Sequence, residues 1–270
     1  MNPGSPRPRF ALSSRSTPLL GCDELLQIAN RAGIDGVEID LTGSSLRRRC
    51  ARIDRLPSFD GVLSLWVPSV PRPSGDLLPP GWTEYEGIAV VDEEGGASPN
   101  GKRQLATATQ LRNEVADSVR VALAVRPRNP EGGRAHLTRL SLLRNLAEEW
   151  DLDLALDLSG PVDWLWEAEA AVSRLAPRLR LLRIAHPVPT LDGHTRSRLM
   201  QRTIAACADA GFGGVIAVVC PMPIWRWRAP AALERSATVA VERLGSRFGI
   251  VPVWPRFERR STIFDRVEDR

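Results

Sequence analysis

Short apolar runs alternate with longer stretches of helical period along most of the 270-residue chain. The runs are Phe10–Ser14, Gly36–Leu41, Val62–Val67, Gly87–Val91, Val119–Val125, Leu152–Asp157, Leu179–Ala185 and Gly214–Val219. Each is brief and rich in Val, Ile or Leu, as strands are in a parallel sheet covered on both faces. Between them the period changes. Asp23–Ala32 places Leu25, Leu26, Ile28 and Ala29 on one face, with Asp23 as the expected N-cap and Gly33 as the stop. Leu137–Trp150 lines up Leu140, Leu143 and Ala147, and Arg198–Ala210 and Ala231–Leu244 repeat the pattern before Gly211 and Gly245.

Eight strands alternating with helices predict an α/β fold, a single (β/α)8 TIM barrel over residues 9–250. An open doubly wound sheet would advertise a Gly-rich phosphate loop after its first strand, and none is present. Pro68–Glu84 breaks the alternation. With Pro68, Pro71, Pro73, Pro79 and Pro80 it cannot be a full helix, and an irregular crossover or lid is expected after strand three. Residues 1–8 read as a disordered tail, and 251–270 as a C-terminal extension that packs over the outside or frays.

Composition narrows the function classes. No run approaches the length of a membrane span, and the Pro- and Arg-rich start lacks the apolar core of a signal peptide, so a cytoplasmic protein is expected. Cys22, Cys50, Cys207 and Cys220 stand far apart, which excludes a Cys-x-x-Cys zinc or redox motif and fits free thiols. A net charge of +4 does not demand nucleic acid. The basic residues are almost all arginine, with Lys102 the sole lysine.

Candidate chemistry collects at the C-terminal ends of the strands. Glu38 and Asp40 alternate with Val37, Ile39 and Leu41. The apolar set suits the helices, which leaves the two carboxylates inside the barrel. Buried carboxylates need a partner, and Arg15 is the candidate. Asp157 ends the sixth run, with a helix N-cap as its alternative role. His186 follows the seventh run and faces either the barrel mouth or a backbone hydrogen bond. Asp92-Glu93-Glu94 reads as a solvated acidic loop. After the eighth run, Pro221-Met-Pro-Ile-Trp-Arg-Trp-Arg228 offers Arg226 and Arg228 as phosphate contacts with Trp225 and Trp227 as walls, or a tryptophan hinge over the rim. His136 and His194 fall on helices and are expected at the surface.

Arg31-Ala-Gly-Ile-Asp-Gly-Val-Glu-Ile-Asp-Leu41 resembles the second βα unit of xylose isomerase-like TIM barrels, the superfamily of sugar phosphate isomerases and epimerases and of endonuclease IV relatives. The phrase from Ala29 to Glu38 fits their "A-x-x-x-G-(F/I)-x-G-(V/I)-E", and the strand order extends the likeness over about residues 9 to 248. The resemblance implies a divalent ion (Mn, Mg, Co or Zn) held by a Glu, an Asp, a His and a Glu after strands five to eight. Asp157 and His186 stand at the second and third of these positions. Arg126 replaces the first Glu and Cys220 the last, and Trp66 stands where relatives often carry histidine. Two of four ligands make an incomplete site, so a weak or absent metal is expected. Arg126 is then expected to replace the ion's charge and to pair with Asp157.

The resemblance therefore implies a divergent sugar phosphate isomerase/epimerase-like barrel that acts on or binds a small polyol or sugar-derived metabolite at its mouth. Asp157 and His186 are the catalytic candidates, and Arg15, Glu38, Trp66, Arg126, Trp225 and Arg226 the binding candidates. The alternative is a non-catalytic binding or regulatory barrel, a pseudoenzyme on the same scaffold. A repair endonuclease needs many histidines, and this chain has three. Neither nucleic acid nor membrane is expected as a partner.

Overall fold

The computed structural model describes residues 7–17, 20–42, 60–69, 78, 86–92, 102–125, 133–159, 165–185, 193–222 and 229–249. Eight parallel strands close into one barrel in chain order: β1 Arg9–Ser13, β2 Gly36–Asp40, β3 Val62–Pro68, β4 Gly87–Asp92, β5 Val119–Val125, β6 Asp153–Leu158, β7 Leu179–Ala185 and β8 Val215–Val219. Among the described residues six α-helices pack around it: α1 Cys22–Arg31, α2 Lys102–Glu114, α3 Gly133–Glu149, α4 Leu165–Leu175, α5 Gly193–Asp209 and α6 Pro230–Gly245. None of the described helices is long and apolar enough to cross a membrane. The α/β barrel expected from the alternation is thus observed. Most of the expected N-terminal tail, the whole expected C-terminal extension 251–270 and most of the Pro-rich stretch lie outside the described residues.

Side-chain alternation divides the core into two layers. Val37, Ile39, Leu41, Leu182, Ile184, Ile216 and Val218 point outward and pack with Leu25, Ile28, Leu140, Ala147 and Ile204 of the helices. Ala11, Trp66, Val90, Ala122, Ala124, Ala155, Leu181 and Ala217 fill the barrel itself. Burying the outward face of the strands against the helices supplies most of the apolar area removed from water, at roughly 25 cal/mol per Å².

Helix α1 shows why the local sequence folds as it does. Leu25, Ile28 and Ala29 are buried on its inner face, as the period requires. Its cap differs from expectation. Gly21, not Asp23, is the N-cap, and the Glu24 carboxylate reaches back to accept from the Gly21 N–H at 2.8 Å. Asp23 lies in the first turn, where it faces the positive end of the helix dipole. Gly33 ends the helix at φ 68°, a left-handed conformation that glycine adopts without cost. Helix α2 is pinned at the mouth end by Gln104, whose amide donates to the Val91 and Ala124 carbonyls at 2.8 and 2.9 Å.

Two glycines permit close passage of the backbone at the barrel floor. A Cβ on Gly36 would lie 2.1 Å from the Gly61 carbonyl oxygen, and one on Gly214 would lie 2.1 Å from that of Arg180. Backbone cannot yield as a flexible side chain does. Gly214→Ala is therefore expected to destabilise the fold by about 1–3 kcal/mol, read as a lower midpoint in chemical denaturation. A midpoint equal to wild type would show that β7 and β8 do not approach so closely.

Candidate functional site

The strand registers sort the inward residues into tiers, because stepping up one residue per strand offsets the strand tilt. The even strands place Asp40, Asp92, Asp157 and Val219 in the tier nearest the mouth. Below it the odd strands place Ser13, Trp66, Ala124 and Arg183. The next even tier holds Glu38, Val90, Ala155 and Ala217, and beneath it lie Ala11, Ser64, Ala122 and Leu181. Alanines surround the centre and leave its volume to two large side chains. Trp66 and Arg183 are both fully buried there.

Arg183 is the hub. Its Nε donates to Glu38 Oε1 at 2.8 Å, and its Nη1 lies 3.1 Å from Asp40 Oδ2 and 3.3 Å from Asp157 Oδ2. Its Cζ sits 3.4 Å from the centroid of the Trp66 ring, a cation–π contact in a desolvated setting. Trp66 in turn donates from Nε1 to Glu38 Oε2 at 2.6 Å. Arg183 thus touches the tier above through two aspartates, the tier below through Glu38, and its own tier through an aromatic face.

Arg15 caps this arrangement from the mouth. It is carried by the single turn Ser14–Ser16 that follows β1. Neighbouring hydroxyls fix that turn: Ser14 Oγ accepts from the Asp40 N–H at 2.9 Å, and Ser16 Oγ from the Cys220 N–H at 2.8 Å. Arg15 Nε then donates to Asp40 Oδ2, and its Nη1 lies 3.5 Å from Asp157 Oδ2. Its side chain is 30% exposed, whereas those of Asp40 and Asp157 are nearly closed off. Guanidiniums and carboxylates thus alternate down the barrel axis as Arg15, then Asp40 with Asp157, then Arg183, then Glu38.

The second oxygen of each aspartate is held locally. Asp40 Oδ1 accepts from Thr42 N and Oγ1 at 2.8 and 2.5 Å, and Asp157 Oδ1 from Ser159 N and Oγ at 3.0 and 2.5 Å. The two turns are equivalent and are written in the sequence as a repeat: Ile39-Asp-Leu-Thr-Gly43 after β2 and Leu156-Asp-Leu-Ser-Gly160 after β6. That repeat is the signal that marks both aspartates. The alternative of a helix N-cap at Asp157 depends on residues 160–164, which lie outside the described residues.

Electrostatics follow from burial and partners. Burial alone would raise the Asp40 carboxyl, but the Arg183 and Arg15 guanidiniums outweigh it and hold it down at about 2. At Glu38 burial prevails and pushes the carboxyl up, against the pull of Arg183 and a hydrogen bond from Ser13. For Arg183 burial works against the charge, yet Glu38, Asp40 and Asp157 together raise its pKa further, so it stays protonated. Burial pushes the Cys220 thiol up to about 12, which keeps its proton on. At the opposite end of the barrel Asp153 is buried beneath Arg180 and Arg120, at 3.3 and 3.8 Å, a pairing remote from the mouth.

The structure brings together Arg15, Glu38, Trp66 and Asp157 of the expected site residues. Arg15 partners Asp40, as anticipated for the buried β2 carboxylates, while Glu38 belongs to Arg183. Asp92 corrects the reading of an acidic loop: it ends β4, is 3% exposed and shares the top tier with Asp40 and Asp157. Arg126, His186, Trp225 and Arg226 lie outside the described residues, as does the anticipated Arg126–Asp157 pair. Arg183 is the residue that sequence reasoning missed. Its signal was an arginine flanked by Leu182 and Ile184, which the helices claim, in a run otherwise read as a buried strand.

Among the described residues no group of three or more His, Cys, Asp or Glu side chains is arranged to hold a metal ion. The free thiols of Cys22, Cys207 and Cys220 form no cluster either. As the pH falls from about 4 to 2, protonation of Asp40 removes stability that is fully present above its unfolded value of 3.8, about 2 kcal/mol in all. Denaturation profiles of wild type and Asp40→Asn are expected to diverge by that amount over this window, the variant being flatter. Parallel profiles would show that Asp40 is not held by the two guanidiniums.

No family model matches the sequence, and no curated protein matches it. Solved structures do. D-allulose 3-epimerase from Methylomonas sp. in complex with D-allulose superposes with a TM-score of 0.56 at 16% identity, over 88% of this chain and 97% of that one. The probable 3-DHS dehydratase AsbF from Bacillus anthracis gives 0.54 at 12% identity, over 87% and 99%. D-psicose 3-epimerase with D-tagatose from Clostridium cellulolyticum H10 gives 0.51 at 13%, over 89% and 99%. At such identities the likeness speaks for the architecture: this chain has the single α/β barrel fold of these sugar epimerases and this dehydratase, along nearly their whole length.

Proposed function

We propose that the chain is a sugar epimerase/isomerase-like barrel that binds a small polyol or sugar-derived metabolite at its C-terminal mouth without a tightly held divalent ion. The observation that carries this reading is the charged column at the mouth, with the half-open Arg15 at its top and Asp40 and Asp157 beneath it. A hydroxylated ligand meets both donors and acceptors there, and Arg15 gives an anionic group a charged contact. The rim loops that carry Arg126, His186, Trp225 and Arg226 are placed by sequence around the same mouth and complete the pocket in this proposal.

The metal implied by the sequence resemblance does not fit the described donors. Asp157 Oδ2 is shared by two guanidiniums, and its Oδ1 is taken by Ser159. An ion here would face Arg15 and Arg183 at close range. Among the described residues the end of β8 offers a thiol that burial keeps protonated, Cys220. The same commitments disfavour Asp157 as a free base, which supports the non-catalytic form of the reading over the catalytic one; His186 is the acid–base candidate left if chemistry occurs. The proposal needs neither nucleic acid nor a membrane as partner.

Calorimetric titration with a panel of ketohexoses, polyols and hydroxylated carboxylates tests it, with solvent-deuterium exchange at the sugar C–H bonds followed in parallel. One class is expected to bind, and Arg15→Ala to weaken that class about tenfold, the value of one charge-assisted contact. Exchange is expected to be absent with or without added Mn²⁺. Silence across the panel, or exchange that appears only with Mn²⁺, would overturn the reading.

A further inference from the structure

Glu38 lies two tiers below Asp40 and has no exposure, so it does not itself touch a ligand at the mouth. It nevertheless reaches Arg15, the half-open guanidinium there, by two separate routes. One runs through the Ser13 hydroxyl, which donates to Glu38 and accepts from the Arg15 N–H at 3.3 Å. The other runs through Arg183, which meets Glu38 at Nε and Asp40 at Nη1, and Asp40 accepts in turn from Arg15 Nε. We propose that Glu38 is the positioning residue of the mouth: from inside the barrel it fixes both the backbone and the side chain of Arg15. The proposal deepens the reading of the mouth as a binding surface, and rests on that reading only for what Arg15 does there.

The first route follows from hydrogen-bond capacity. The register of β1 and β2 sets Ser13 directly beside Glu38. Three donors are aimed at the Glu38 carboxylate: Arg183 Nε at 2.8 Å, Trp66 Nε1 at 2.6 Å and the Ser13 hydroxyl. Arg183 and Trp66 come from β7 and β3, are fully buried and stack on each other, so they hold the carboxylate still where Ser13 meets it. Ser13 has one hydroxyl hydrogen, and giving it to a charged acceptor leaves lone pairs to turn the other way. One of them receives the Arg15 N–H. Ser13 is the N-cap of the turn Ser14–Ser16, so this bond fixes the start of the turn that carries Arg15.

The second route passes through charge-assisted contacts. With its Nε given to Glu38, the Arg183 guanidinium turns Nη1 toward Asp40 Oδ2 at 3.1 Å. The same Asp40 oxygen takes Arg15 Nε, while Thr42 holds the other. A rotation of Arg183 away from Glu38 therefore disturbs the oxygen on which the Arg15 side chain rests. Networks of this kind are coupled, so the loss of one member is felt at the next. The two routes begin at one carboxylate, leave it by different strands, and meet again at one residue.

Two rates measured on the free, full-length chain by mass spectrometry separate the routes: hydrogen exchange of the Arg15 amide, and phenylglyoxal modification of the Arg15 guanidinium. Glu38→Gln is expected to speed both, the amide by about tenfold, the value of one hydrogen bond to a charged group. Ser13→Ala is expected to speed the amide to a similar extent and to leave the guanidinium rate as in wild type. Ser13→Thr, which keeps the hydroxyl, is expected to restore the amide. Glu38→Asp keeps the charge and withdraws the carboxylate by one methylene; it takes the place of E38Q should that variant not fold, and both rates are again expected to rise. The β5 amides of Val121–Leu123 are the reference and are expected to keep their wild-type protection. Wild-type rates at Arg15 in the Glu38 variant would overturn the proposal, as would a rise in only one of the two. So would an unchanged amide in S13A, or an acceleration that reaches β5 equally, which marks a loosened fold and no positioning. No metabolite enters this measurement, so silence across the sugar panel overturns the reading of the mouth and leaves this result standing, and the reverse also holds.

Discussion

A guanidinium at the centre of the barrel, with an indole stacked on it in its own tier and carboxylates above and below, is the constraint around which the rest is arranged. Removing a charge from water costs several kcal/mol even after relaxation. Arg183 has no exposure at all, so the surrounding residues must return that cost. They do so through three carboxylates and a cation–π contact, among alanines that leave the volume of the centre to Arg183 and Trp66. The positions of Glu38, Asp40, Trp66 and Asp157 all follow from this requirement. The small residues at Ala124, Ala155 and Ala217 follow too, because the tiers must accommodate Arg183 and Trp66 without overpacking.

The same arrangement connects the floor of the mouth to its surface. Arg15 is held by the turn after β1, and that turn is fastened to β2 through Ser14 and to β8 through Ser16. Asp40 receives both guanidiniums on one oxygen and its own turn on the other. Under the proposed function a ligand at the mouth would meet a surface whose charges are fixed from below, and a change at Arg183 reaches Arg15 through two shared aspartates. Rigid, pre-oriented groups of this kind favour binding because little ordering remains to be done when the ligand arrives.

Much of the fold was legible in the sequence because both periods are unambiguous. The β5 and β7 bounds, Val119–Val125 and Leu179–Ala185, coincide with the apolar runs read from the chain. The alternation at β2 assigned Glu38 and Asp40 to the interior, since Val37, Ile39 and Leu41 could satisfy the helices only if the acids turned inward. Helix caps were less legible. Asp23 and Gly21 are both acceptable at an N-cap, and the choice depended on Glu24 folding back to the Gly21 N–H, which no local propensity reveals. The site was legible in its acids and not in its cation. Asp157 and Glu38 stand out as charges in apolar strands, and so does Arg183. It lies three residues above the floor residue Arg180 and three before His186, within the strand and away from the strand ends that carry chemistry in barrels. The repeated Asp-Leu-(Thr/Ser)-Gly phrase was equally available and pairs Asp40 with Asp157 across the barrel.

The central claim is that Arg183 and the buried carboxylates stabilise one another and are not merely neighbours. A double-mutant cycle between Arg183→Met and Glu38→Gln, measured by urea denaturation at neutral pH, tests it most directly. The account predicts that the double variant is more stable than the sum of the single losses implies, with a coupling of about 2–3 kcal/mol. Losses that add to within about 0.5 kcal/mol would contradict it.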